Sequence, residues 1–529
     1  MKNLIKVTLV LILFVLAYSC ETGRRNSHHG KPMMKDTKNL EVIEEVIAEQ
    51  KDSEGKSEIV HNTNEYNYLV DNPYQLVSQN PLSTFSIDVD NASYSEVRQA
   101  LVNGYLPNKD AVRIEEMINY FDYSYKQPKG DVPFSVYTEI AQAPWNPKHN
   151  LVMLGLKGKE LNYDEIKPGN LVFLIDTSGS MGEANKLPLL IKSFKILVKN
   201  LPENSRVAIV TYAGNAGLVL PSTSVDNKDK IYDALDNLES GGSTAGGAGI
   251  KLAYEIAKQN YLKEGNNRVI LATDGDFNVG ISSSSDMIRL IQEKKKSNVY
   301  LTILGFGMGN YKDGRMEEIS NRGNGNYFYI DSYNEAKKVF KKDLLANMFT
   351  IAKDVKIQVE FNPAKVKGYR LIGYANRLLK AEDFNDDKID AGELGAGHTV
   401  TAFYEIIPAS SNEKIRSHDV LKYQETVKTT TNSKELMTLK LRYKPIDSEK
   451  SKLITTPLFE STKSWKQASD DFKFAASVAG FGMQLRDSEY KGNVNIKLLR
   501  ELATLESVGN DIYKKEFVTL LDKYDSLVE

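Results

Sequence analysis

What this chain lacks bounds most of what it can be. One cysteine, Cys20, among 529 residues rules out a disulfide within the chain, so packing alone must hold the fold. Charge of one sign is missing as well. With 68 Lys and Arg against 70 Asp and Glu, the formal net charge is -2, which supplies no field to recruit nucleic acid. The mostly apolar run over residues 7–16 is too short to cross a bilayer as a helix. No Gly-x-x-x-x-Gly-Lys-Ser/Thr loop, His-Glu-x-x-His pair or Gly-x-Ser-x-Gly elbow occurs, so ATP hydrolysis, zinc proteolysis and serine-hydrolase chemistry lose their usual support. No repeat architecture is visible. The length exceeds what one core sustains, and two to four domains are expected. At 41% hydrophobic and 26% charged residues, the composition is that of a globular protein.

The amino terminus does carry a pattern. Lys2 and Lys6, the apolar run and then Ala17-Tyr18-Ser19 before Cys20 read as a secretory signal over residues 1–19. Ala17-Tyr18-Ser19-Cys20 resembles a bacterial lipobox, with Ala where Leu is commoner and a bulky Tyr18. That resemblance implies diacylglycerol on the Cys20 thiol, an acylated new amino terminus and a place in the bacterial cell envelope, on its periplasmic or surface face. Several acyl chains, at about 0.8 kcal/mol per buried methylene, make a stable anchor. Residues 20–65 are polar and poor in aromatics and cannot offset their ordering entropy, so they read as a flexible tether. His28 and His29 within it read as solvated side chains rather than a metal site.

From residue 66 the pattern becomes that of folded chain. Residues 84–90 alternate as a strand, and a helix is expected from Asn91-Ala92-Ser93 with Val97, Ala100, Leu101 and Val102 on its apolar face. A second helix is expected over 111–121, and strands over 133–143 and 150–156 flank a turn at 144–147. Asp88 and Asp90 share one strand face and read as caps in preference to cation ligands. This N-terminal domain spans 66–165. At Asn170 the style changes, because Leu171-Val172-Phe173-Leu174-Ile175 is continuously apolar, as a parallel strand covered on both faces must be. Strands at 206–212, 268–272, 300–305 and 327–330 then alternate with helices at 187–201, 228–238, 247–261, 284–295 and 333–348. This βα alternation predicts a doubly wound, mainly parallel α/β sheet over 166–348. The C-terminal domain, 349–529, reads as β-rich over 351–445 and helical over 464–529. The α/β unit is expected to be inserted in a platform whose flanking strands pair antiparallel as a sandwich. The acidic run 383–390 has Lys388 where an EF-hand needs Gly, so it reads as a solvated loop. His398 reads as structural.

Ligands of a doubly wound sheet sit at the carboxyl ends of its strands, and those ends are rich in oxygen. Asp176-Thr177-Ser178-Gly179-Ser180 follows the first strand, Gly241-Gly242-Ser243-Thr244 lies on a later loop, and Thr273-Asp274-Gly275 follows another strand. Turns and N-caps use the same residue types, but here a carboxylate with two hydroxyls, a third hydroxyl and a second carboxylate occur in order on three loops. The set resembles the metal-ion-dependent adhesion site of von Willebrand factor type A (VWA) domains. That resemblance implies direct contacts from Ser178, Ser180 and Thr244, with Asp176 and Asp274 acting partly through water, on Mg²⁺ or alternatively Mn²⁺ or Ca²⁺. Hydroxyls donate oxygen without charge, so the ion stays under-neutralised and seeks an anion, in VWA proteins a partner carboxylate. Residues 170–181, 241–249, 267–280 and 323–331 further resemble a family of bacterial VWA lipoproteins with a VWA-associated N-terminal domain and a C-terminal domain of unknown function. The family implies no enzymatic activity. The expected function is an envelope-anchored, metal-dependent module that binds an exposed carboxylate of a protein or glycan, held to the membrane by its lipid. The alternative is an assembly factor or scaffold subunit of an envelope complex served by a separate ATPase.

Overall fold

The apolar run at 171–175 forms the middle of the strand Gly169–Asp176, buried along its whole length. It lies inside a six-stranded sheet ordered Tyr327–Ile330, Tyr300–Phe306, Asn266–Thr273, Gly169–Asp176, Arg206–Ala213, Asn215–Ser224. All neighbours are parallel except the last pair. Alternate residues of the central strand serve opposite faces. Leu171, Phe173 and Ile175 join Phe194, Leu197, Ile231 and Phe340 in one core, and Val172 and Leu174 join Ile250, Ala253, Ala257 and Ile291 in the other. Both faces are thereby covered by helices, which is why the strand carries no polar alternation.

The computed structural model describes residues 66, 68–161, 167–213, 215–241, 246–275, 284–307, 313–323, 325–416, 433–461 and 463–529. The expected signal and lipid site at Cys20, the tether with His28 and His29, and Thr244 lie outside the described residues. No helix among the described residues is long and apolar enough to cross a membrane.

The segments on either side of the α/β unit interleave. One antiparallel sheet is ordered Gln75–Leu76, Val366–Ile372, Thr399–Pro408, Asn146–Gly158, Phe134–Ala143. The second is ordered Leu378–Leu379, Leu82–Ser86, Thr350–Phe361, Glu435–Lys444, Lys452–Phe459, with Gly392–Gly395 also paired to Thr350–Phe361. In register, Leu154 faces Ala402 and Phe85 faces Ile357, so early and late strands share both sheets, as the expected sandwich requires. Val152, Leu154, Tyr404 and Ile406 point into the inter-sheet core with Phe85, Val359 and Leu439. Their neighbours Leu151, Met153 and Phe403 point the other way, into a helical layer built from Ala92–Val102, Ile114–Asn119, Asp470–Arg486, Ile496–Leu502 and Ile512–Val528. Phe121, Phe474 and Phe517 pack edge to face there, with centroids 4.9, 5.4 and 5.8 Å apart, within the range that favours aromatic pairs.

Several elements differ from expectation. The strand expected over 84–90 ends at Ser86, because Asp88 and Asp90 turn under Arg377, whose Nε and Nη2 donate to them at 2.8 and 3.2 Å. Both still cap backbone N–H groups, Asp88 Oδ1 accepting from Asp90 N at 3.0 Å and Asp90 Oδ1 from Tyr327 N at 3.3 Å, while the helix N-cap Asn91 donates to Asp343 Oδ2 at 3.2 Å. The second helix shrinks to a 3₁₀ turn, Lys109–Ala111, and Ile114–Asn119. Residues 333–348 are helical throughout, with a π segment at Val339–Asp343. In the acidic run, Lys356 Nζ donates to the carbonyls of Asp383 and Asp386 at 3.0 and 2.6 Å. An ammonium group thus sits where a calcium reading would have put a metal.

Candidate metal centre at the strand ends

The sheet order places the candidate site. From Gly169–Asp176 the chain proceeds outward to one side through Arg206–Ala213 and Asn215–Ser224, then crosses back to Asn266–Thr273 on the other side. The crevice between the first strand and Asn266–Thr273 is therefore the topological switch point, where loops part and leave room for a ligand. Asp176 ends one of these strands and Asp274 follows the other immediately.

Local hydrogen bonds shape the first loop. Asp176 Oδ1 accepts from Ser178 N at 2.9 Å, which folds the chain back so that Ser178 Oγ and Ser180 Oγ lie 3.0 Å apart. Two adjacent ligands of an octahedral ion with bonds of about 2.1 Å would be separated by about 3.0 Å. Gly241 N donates to Thr177 O at 2.8 Å, bringing the loop that leads to Thr244 against the first one. From the third side Thr273 Oγ1 donates to Asp176 Oδ2 at 3.4 Å and accepts from Gly275 N at 3.2 Å. Asp176, Ser178 and Asp274 are buried, whereas Ser180 is exposed, so the site opens to solvent on one side.

The charge is poorly compensated. Burial pushes the Asp176 carboxyl above the usual carboxylate range, against the hydrogen bonds from Ser178, and the neighbouring Asp274 adds to the rise. Burial and the Asp176 charge likewise push the Tyr212 hydroxyl far up. Asp274 Oδ1 is buried with no hydrogen-bond partner among the described residues, a costly state for a carboxylate oxygen. Its other oxygen faces Lys186 Nζ at 3.3 Å. Among the described residues no three His, Cys, Asp or Glu side chains are grouped to hold a metal. The described donors are instead two carboxylates and two hydroxyls, with a lone acceptor at Asp274, and this chemistry fits a hard divalent ion that keeps several waters. Four expected site residues, Asp176, Ser178, Ser180 and Asp274, come together. Lys186 and Tyr212 were not legible as site residues, since each reaches the crevice only through the folded arrangement of separate elements, and Thr273, within the legible run Thr273-Asp274-Gly275, shows its contact to Asp176 only in the fold.

A doubly wound sheet with this oxygen-lined switch point defines the class as a VWA-domain protein. The family model described as von Willebrand factor type A domain matches residues 170–342, one described as von Willebrand factor matches 60–153, and one described as uncharacterized protein YfbK, C-terminal, matches 346–527. The chain is 42% identical over 478 residues to the uncharacterized protein YfbK of Escherichia coli (strain K12), covering 88% of this chain and 82% of that protein. It belongs to the YfbK family of VWA proteins. A further relative, the uncharacterized protein sll0103 of Synechocystis, is 26% identical over 202 residues, which is 38% of this chain and 46% of that one. Among solved structures, the von Willebrand factor type A protein from Catenulispora acidiphila is 17% identical, with a TM-score of 0.40 over 75% of this chain and 91% of that one.

Proposed function

We propose that the chain is an envelope-anchored binding module that captures an anionic group of a protein or glycan through a divalent ion held by Asp176, Ser178, Ser180, Thr244 and Asp274. VWA domains are in general binding modules, and the family resemblance extends that expectation to this chain. The observation that carries the reading is the meeting of Asp176, Asp274 and the Ser178 and Ser180 hydroxyls at the switch point, with one Asp274 oxygen left without a partner. When bound, the ion would supply a Lewis-acidic position for a carboxylate oxygen. The chain's own residues orient the donors: Ser178 N and Thr273 fix Asp176, and Gly241 N holds the chain just before Thr244 to Thr177 O. Lipid on Cys20 would place the module at the membrane surface.

The test is thermal unfolding of wild type, Asp176→Ala and Thr244→Ala with and without Mg²⁺ or Mn²⁺. An ion present at about a hundred times its dissociation constant stabilises by about 2.7 kcal/mol. The wild-type shift should be largest and that of Asp176→Ala smallest, because a lost charge costs more than a lost neutral donor. Equal shifts in all three proteins would place the ion elsewhere. Chelator should also abolish partner capture from envelope extract.

A further inference from the structure

Six residues beyond the hydroxyl loop, at the start of the helix Leu187–Asn200, Lys186 turns its side chain back into the crevice. It is not a surface lysine. Its side chain is 6% exposed, and its Nζ lies 3.3 Å from Asp274 Oδ2. Two more contacts hold it without any help from Asp274: Nζ donates to the Ser180 carbonyl at 2.9 Å and to Glu183 Oε1 at 3.2 Å. On the opposite side Gly307 makes room for the methylene chain. Its φ of +80° lies in the left-handed region that favours glycine, and a Cβ there would lie 2.3 Å from Lys186 Cε.

From this arrangement we infer that Lys186 is the residue that makes the loaded centre selective for anions, by adding a fixed positive charge that the two carboxylates cannot cancel. The inference rests on the proposed metal reading. Counted as formal charge among the described residues, Asp176 and Asp274 at most balance a divalent ion, and Lys186 leaves the centre at least one unit positive. Glu183 offsets this little, because its side chain is 65% exposed and water screens it. A buried charge a few ångströms from the ion acts through a low effective dielectric and is felt strongly. It therefore has opposite effects on the two binding events. Lys186 repels the incoming cation and attracts the incoming carboxylate, so the ion binds well only together with its anion. A lysine with a merely structural role would weaken both events when removed.

The experiment uses the full chain and measures Mn²⁺ affinity by calorimetry, with and without excess acetate as the carboxylate probe, for wild type, Lys186→Met, Lys186→Arg and Asp176→Ala. Lys186→Met should bind Mn²⁺ alone roughly tenfold tighter than wild type and lose most of the gain that acetate gives wild type. Lys186→Arg, which keeps the charge, should retain that gain. Unfolding in chelator checks that each variant is folded, and Lys186→Gln, with a polar end for the Ser180 carbonyl, carries the same expectation if the methionine variant does not fold. Unchanged or weaker Mn²⁺ binding by the neutral variants, or an undiminished acetate effect, overturns the role of Lys186. Failure of the metal reading itself looks different: wild type would bind no better than Asp176→Ala.

Discussion

Buried charge at single residues ties the α/β unit to the segments that flank it. Arg98 donates to Asp331 at 2.5 Å, to Glu335 at 2.7 Å and to Glu516 at 3.0 Å, joining three segments with one guanidinium whose planar fork suits such sharing. Arg377 does similar work under Asp88 and Asp90, both almost wholly buried. Removing one partner of a buried pair strands the other. Arg377→Met should therefore destabilise the chain by about 3–5 kcal/mol, read as a lower urea midpoint, and a loss below about 1 kcal/mol would mean that other groups already neutralise the two aspartates. The same scale shows what sequence can and cannot reveal about a site. Asp176, Ser178, Ser180 and Asp274 were legible because each follows an apolar strand directly, and strand ends converge by geometry. Lys186 was not, because its direction depends on a turn within residues 180–186 and on space left by Gly307, more than a hundred residues away in the chain.

Among elements, legibility followed burial. Strands such as Gly169–Asp176 are covered on both faces and show as unbroken apolar runs, and the helices of the α/β unit show as amphipathic stretches. The strands Asn215–Ser224 and Lys452–Phe459 carry no clear strand signature of their own. Both lie at sheet edges, both contain a proline, and Leu218, Val219, Leu453 and Phe459 are exposed, so the partner strand defines them more than their own pattern does. The helix Asp313–Arg322 is likewise unmarked, its sequence being largely polar. The turn from that helix into Tyr327–Ile330 is unusually tight: a Cβ on Gly325 would lie 1.3 Å from the Leu301 carbonyl oxygen. That oxygen belongs to a strand and cannot give way as a flexible side chain would. Gly325→Ala should destabilise by at least the 1–3 kcal/mol typical of overpacking, visible as a lower unfolding temperature, and a variant as stable as wild type would show that the turn can open.

For the whole molecule, the raised buried groups should set the pH response across the neutral range. His149 lies between Glu405 and Glu413, each 2.8 Å from a ring nitrogen, and these carboxylates raise its imidazole despite burial. Burial pushes Glu115 up to about 7, with Asp88 adding to it. A folded value above the unfolded one gives stability that is complete below the unfolded value and is lost as pH rises through the folded one. The unfolded values are about 6.5 for His and about 4.3 for Glu, so both contributions decline as pH rises toward and past 7. Glu405, held low mainly by its hydrogen bond from His149 against the cost of burial, stays ionised throughout, whereas His398, pushed down to about 4 by burial, opposes the decline only until pH passes its unfolded value of about 6.5; Glu116, also raised to about 7 by burial, adds to the decline. The unfolding temperature in chelator should fall from pH 6 to pH 8, and a rising profile would contradict these assignments. The insertion of the α/β unit has a mechanical side too. Its chain arrives from Asn146–Gly158 and leaves into Thr350–Phe361, and each of these strands has a hydrogen-bonded neighbour on both sides. The two connections lie close together, as Asn266 Nδ2 donating to Met348 O at 2.7 Å beside Gly169 shows, at the end of the parallel sheet opposite Asp176. A pull applied to a captured partner would travel down the parallel strands and enter the sandwich through two interior strands, loading many hydrogen bonds at once instead of peeling an edge one bond at a time.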